Sequence, residues 1–244
     1  MIADAFGWRA AFLVTGLGPL LMVAAVAGMK PVPSPPPQRL LDQLGAVFRN
    51  RPALGYVLGY GAHCFELYGM RTWVVAFWTF VAASHGGSVP VGPVTISVVF
   101  ALLAMPASIL GNEAAIRAGR HAAISVVQIV SAATGLVVGL SVGWSPWIVL
   151  ALVLVYAVTI PADSGALTAG MAQSADPKAK GGTMALHSTV GFGLSALGAW
   201  GFGMALDAAG GPEEPQAWTA GFCLLSVAIL LGPLALWWSR RGIA

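Results

Sequence analysis

Apolar residues recur along this chain in seven long runs, roughly residues 10–29, 52–81, 92–113, 122–143, 146–172, 182–206 and 217–238, separated by clusters of proline, glycine and charged residues. A helix needs about 20 mostly apolar residues to cross the hydrocarbon core of a bilayer, and each run is long enough. Inside lipid, backbone amides must pair within their own helix or within a closed barrel. A barrel would read as short strands alternating apolar and polar positions, a pattern this chain lacks. The runs therefore predict an all-α integral membrane protein with seven transmembrane helices.

The longest polar connection is "KPVPSPPPQRLLDQLGAVFRNRP", residues 30–52. Its prolines favour extended polyproline geometry, and after them Leu40, Leu41, Leu44 and Val47 are spaced to form one side of a short amphipathic helix at the membrane surface. The chain thus divides into an outer segment with one transmembrane helix (1–29), a loop (30–52) and a six-helix block (53–244). Short connections within the block make consecutive helices antiparallel neighbours. The pairs Gly55 and Gly59, Gly135 and Gly139, and Gly139 and Gly143 are each four apart, a spacing that lets helix backbones approach closely. The glycine-rich run from Gly191 to Gly203 permits close packing or bending, and Pro106 and Pro161 are expected to break their helices.

Composition agrees with this reading: 57% of the residues are hydrophobic and 9% charged, against roughly a quarter charged in soluble domains. Lys and Arg concentrate in cytoplasmic loops. Ten of the 12 basic residues fall on alternate connections, as Lys30, Arg39, Arg49 and Arg51, then Arg117 and Arg120, then Lys178 and Lys180, and finally Arg240 and Arg241. The connections around His85, around Trp144 and over 207–216 hold none, and the last carries Asp207, Glu213 and Glu214 instead. This distribution predicts an N-terminus outside and a cytoplasmic C-terminus, and the expected location is the plasma (inner) membrane. The net charge of +3 reflects topology, and no basic patch with interleaved aromatics points to nucleic acid. Cys64 and Cys223 lie within apolar runs as small buried hydrophobes, not as a disulfide framework. The first run is read as a membrane helix and not as a cleaved signal, because it is long for one and Asp4 precedes it.

Ionisable residues at bilayer depth are costly, and they mark by default a water-filled path, a binding site or a proton relay. With Pro52 at the inner edge, Glu66 lies about 20 Å along the axis, near the middle of the bilayer. At about 100° per residue, Tyr56, His63, Glu66, Met70, Trp73 and Phe77 share one face, which combines a carboxylate, an imidazole and aromatic walls. That face is the first candidate for substrate contact or proton coupling. Plainer roles compete: an interhelical hydrogen bond for His63, a neutral hydrogen-bonded acid for Glu66, and interface anchoring or lipid contact for Trp73, Trp78 and Phe80. Arg71 lies about 140° round from Glu66, too far for a pair on one helix. It meets a phosphate, another helix or an anionic substrate, or else snorkels to the outer interface. Asp163, two residues after Pro161, is placed to coordinate a cation or proton, or to sit as a polar residue at a cytoplasmic mouth. His187, beside Ser188, faces the same inner cavity or bonds across helices.

No H-E-x-x-H, Walker loop or G-x-S-x-G elbow is present, and "HCFE" offers two ligands where a catalytic zinc takes three. Neither enzymatic activity, a cofactor nor a metal is expected. In "LGNEAAIRAGRH", residues 110–121, Arg117, Gly119 and Arg120 form an R-x-G-R core, and "AFGWRAAFLVTG" near the start contains G-W-R. In these motifs, in the polar loop after the first helix and in the six-helix block, the chain resembles the major facilitator superfamily (MFS) of secondary transporters. Two departures stand out: Ile116 occupies the position of the family's acidic residue, with Glu113 three places before it, and Asn112 aligns with the motif's leading glycine, here one place early as Gly111.

The resemblance implies that residues 1–29 correspond to the sixth helix of such a transporter, 30–52 to its central loop, and 53–244 to its C-terminal half, helices seven to twelve. It further implies a small-molecule substrate moved by alternating access, with the Tyr56 to Phe77 face lining the path and Gly111, Glu113, Arg117, Gly119 and Arg120 gating the inward side. The partner is then the bilayer and an N-terminal half not represented in the chain, which on this reading is a fragment. The competing reading is a seven-helix binding or assembly module, alone or as a homodimer, with no transport of its own.

Overall fold

Proline sets the starts of four long helices. Asn50–Arg51–Pro52, Gly92–Pro93, Ser145–Pro146 and Glu214–Pro215 each place the ring in the first turn, where its missing amide costs no hydrogen bond. Asn50 adds a side-chain cap, its Oδ1 accepting from the Ala53 amide at 3.1 Å. The computed structural model describes residues 2–30 and 40–241. The proline run and Arg39 lie outside the described residues, as do the side chains of Leu40, Leu41 and Leu44, on which the linker's amphipathic face depends.

The chain divides into two units, Met1–Pro37 and Gln38–Ala244. The first contains α1 (Ile2–Val26), which is interrupted at Gly7, where φ is 81°, and runs on through Pro19. The second contains α2 (Leu40–Arg49), α3 (Arg51–Ser84), α4 (Pro93–Ala118), α5 (Arg120–Leu140), α6 (Pro146–Thr159), a 3-10 turn (Ile160–Asp163), α7 (Ser164–Ser174), α8 (Lys180–Ala208), α9 (Pro215–Ile229) and α10 (Leu231–Arg240). The turn joins α6 to α7 without a gap, and only Leu230 parts α9 from α10, so the described residues form eight rods.

Six rods are long and apolar enough to cross a membrane: α1, α4, α5, α6 with α7, α8, and α9 with α10. This is the helix inventory of a multi-pass membrane protein. The run at 52–81, expected as a seventh span, is helical throughout α3 but is not among the six. At 34 residues α3 has ample length; Tyr56, Tyr60, His63, Glu66, Arg71 and its glycines lower its mean hydropathy. Most of these groups meet protein, because α3 is the helix around which α2, α4, α7, α8, α9, α10 and the 3-10 turn assemble.

Gly55, Gly59 and Gly139 each have backbone of a neighbouring helix within 4 Å of where a Cβ would stand, Gly135 has the side chains of Tyr156 and Ser226 there, and Gly143 has nothing. The most extensive pair is α3 with α8, where Gly198 lies directly against the backbone of Phe65. Helix α4 runs unbroken through Pro106, while Pro161 sits in the 3-10 turn and does interrupt its helix. The start of α3, the end of α4, the start of α5 and the end of α10 carry Arg51, Arg117, Arg120 and Arg240, the basic end of the second unit; away from it, Met70, Phe77, Trp78, Phe202, Trp218 and Phe222 form a core with no more than 1% exposure. Trp78 is therefore no interface anchor: it is fully buried, with its Nε1 donating to the Val91 carbonyl at 2.7 Å.

Candidate functional site

A polar network crosses the middle of the second unit, built from four elements, α3, α5, α6 and the 3-10 turn, that the chain brings together over long separations. Helix α3 supplies His63 and Glu66, each 1% exposed, and the 3-10 turn supplies Asp163, 2% exposed. His63 Nδ1 lies 2.7 Å from Asp163 Oδ1. The second carboxylate oxygen, Oδ2, accepts from Gln128 Nε2 of α5 at 2.7 Å. Glu66 Oε1 accepts two hydroxyl donors at 2.9 Å, Ser131 Oγ one turn along α5 and Tyr156 OH of α6. Glu66 Oε2 is buried and takes no hydrogen bond from any described residue.

The network continues sideways through aromatic rings. Tyr60 stacks on His63 with centroids 5.6 Å apart and on His187 of α8 at 3.8 Å. Thr168 Oγ1 of α7 reaches His187 Nε2 at 3.4 Å. Four ionisable side chains from three elements are thus gathered in the interior: Glu66 and His63 a turn apart on α3, Asp163 of the 3-10 turn beside His63, and His187 of α8 on the other face of Tyr60. The interruption at Pro161 positions this chemistry, since it turns Asp163 inward between α6 and α7. Among the described residues no group of three His, Cys, Asp or Glu side chains is arranged to hold a metal ion.

The remaining candidates on the α3 face separate by depth. Tyr56, 5% exposed, stands at the basic end with its hydroxyl 3.2 Å from His121 Nδ1. Met70 and Phe77 are wholly buried in the apolar core, and Trp73 is partly buried, its Nε1 donating to the Ala199 carbonyl at 2.9 Å. Arg71 is exposed, on the side of α3 away from Glu66. Sequence reasoning missed Gln128, Ser131, Tyr156 and Tyr60. Gln128 and Ser131, three residues apart inside an apolar helix, carry the signal that would have found them, because a polar pair at membrane depth seeks a partner.

The R-x-G-R stretch is less of a loop than expected. Helix α4 runs to Ala118 and α5 starts at Arg120, leaving Gly119 alone between them with φ at 91°, a left-handed conformation that suits glycine. Gly111 is helical and lies against the Ala162 backbone, so its small size lets α4 approach the 3-10 turn. Glu113 accepts from Arg117 Nε at 3.1 Å and from its terminal nitrogen at 2.9 Å, a pair within one helix. The contact between helices comes from Arg120, which donates to Gln173 Oε1 of α7 at 2.6 Å. Exposed pairs of the Glu113–Arg117 kind contribute about 0.5 kcal/mol or less. Glu113→Gln should accordingly leave thermal unfolding in detergent almost unchanged, and a large loss would mean the carboxylate has a second partner.

Compared with models of known protein families and with curated proteins, the chain matches none.

Proposed function

We propose that the chain is the C-terminal part of a major-facilitator-type secondary transporter, moving a small solute by alternating access with coupling to protons. The observation that carries this reading is the buried set of Glu66 and His63, about midway along α3, with Asp163 2.7 Å from His63, Glu66 being held by Ser131 and Tyr156 and Asp163 by Gln128. Ionisable groups at that depth are expensive, and in membrane proteins they mark proton and substrate paths. On this reading α3 is a seventh crossing helix whose polar groups meet the protein interior. Its Glu66 exchanges the coupled proton at Oε2, the oxygen without a donor, while Ser131 and Tyr156 hold Oε1 still. His63 and Asp163 pass charge toward the basic end, which faces the cytoplasm. Arg120 and Gln173 steady that end, and an N-terminal half completes the cavity; solute uptake by liposomes containing only the 244-residue chain would overturn that requirement.

The experiment that tests the reading follows a proton instead of an unidentified solute. Infrared difference spectra of the purified chain between acidic and alkaline buffer should contain a carboxylic C=O band that titrates and is absent in Glu66→Gln. The substitution keeps an Oε1 that accepts both hydroxyls, so stability should fall by no more than about 1 kcal/mol. An identical titrating spectrum in the variant would remove Glu66 from proton exchange. The cluster would then be a structural polar knot, and the chain a binding or assembly module.

A further inference from the structure

Apart from the buried network, the basic end of the second unit carries a cavity of about 370 Å³ between the start of α5 and the end of α10. Leu236, buried, and Pro233, half-buried, give it an apolar base. Its polar lining is Ser125, His121, Trp237, Arg240 and Arg241, and no acidic side chain among the described residues lines it. Two of these groups are held in place: Arg241 Cζ sits 3.4 Å from the centre of the Trp237 ring, and the Tyr56 hydroxyl lies 3.2 Å from His121 Nδ1. Helix α5 also begins here without a side-chain cap, because Gly119 has none to offer, so its first amides remain available to an anion.

An apolar base under a cationic rim, at the end of membrane-crossing helices, suits an amphiphile better than a free ion. Acyl chain can follow the α5–α10 seam while a phosphate meets the arginines, the arrangement by which basic pockets between helices take anionic headgroups. We infer that this seam binds the phosphate of an anionic phospholipid from the leaflet that the basic end faces. Inorganic phosphate shares the chemistry of the rim but leaves the apolar base unused.

The test uses the purified full chain in detergent, offered phosphatidylglycerol or phosphatidylcholine at equal mole fraction, with retained lipid counted by native mass spectrometry. Two arginines near an anionic phosphate should give phosphatidylglycerol a preference of at least about tenfold. The Arg240→Gln, Arg241→Gln double variant should lose that preference, and Arg117→Gln, which removes an exposed arginine from the same end, should keep it. Inorganic phosphate added at the lipid's own concentration should displace no lipid. Equal retention of the two lipids, or a preference that survives in the double variant, overturns the site, and displacement by inorganic phosphate at parity overturns the lipid as its occupant. Should the double variant fail to fold, the single variants Arg240→Gln and Arg241→Gln replace it, and a preference unchanged in both overturns the site.

Discussion

Gly198→Val should cost about 3 kcal/mol or more and leave little folded protein, because the new side chain would have to occupy the position of the Phe65 carbonyl. The contact is backbone on backbone, between the two helices that share the most extensive interface, so no rotamer change can relieve it. Either α8 moves away from α3, breaking the Tyr60–His187 stack and the Trp73 hydrogen bond to Ala199, or α3 bends next to Glu66. Gly198→Ala should fall in the ordinary overpacking range of about 1–3 kcal/mol. A control lies five residues earlier on the same helix: Gly193 has nothing within 4 Å of its would-be Cβ and is exposed. There Gly193→Ala should be neutral or stabilising by up to about 1 kcal/mol, the helix-propensity difference between the two residues. Thermal unfolding of the three variants in one detergent checks the ranking, and a Gly198→Val protein as stable as the Gly193→Ala protein would refute the packing argument.

What could be read from sequence, and what could not, follows from the range of each interaction. Apolar runs and X-Pro boundaries are local, so the helices fall close to their expected limits, and Pro161 interrupts its helix while Pro106 does not. Helix α3 is the exception to the apolar count because most of its polar residues, Arg71 excepted, face neighbouring helices, which mean hydropathy cannot distinguish. The pairing of Glu66 and His63 on one face is a property of helical periodicity and was legible. The partners of that face were not: Asp163 lies 100 positions beyond His63 in the chain, and only the folded topology brings the 3-10 turn against α3. Tyr156, inside the apolar run "PWIVLALVLVYAVT", looks like bulk until its hydroxyl is seen on Glu66. Trp78 shows the converse: an aromatic near a helix end suggests an interface belt, but its indole is enclosed by the core and satisfied by Val91.

The pair His63–Asp163 invites a double-mutant cycle, and the expected values can be argued from the geometry. Asp163→Ala removes the 2.7 Å acceptor of Gln128 Nε2, which then has only the Gly59 carbonyl at 3.4 Å, and the carboxylate beside His63, leaving two buried polar groups short of partners. Breaking one side of a buried pair in this way costs about 3–5 kcal/mol. His63→Ala should cost a similar amount, since Asp163 Oδ1 then loses the imidazole 2.7 Å away while remaining buried. Removing both takes away the charge that each single change strands, so the double variant should be less destabilised than the sum of the two by about 1.5–3 kcal/mol. Agreement with simple addition to within about 0.5 kcal/mol would mean the 2.7 Å approach carries no coupling energy. The same variants separate structure from proton chemistry: if the pair only holds α3 to the 3-10 turn, the titrating infrared band of Glu66 survives in the double variant. If His63 and Asp163 carry charge between Glu66 and the basic end, the band persists but its rate of exchange with the buffer on that side falls.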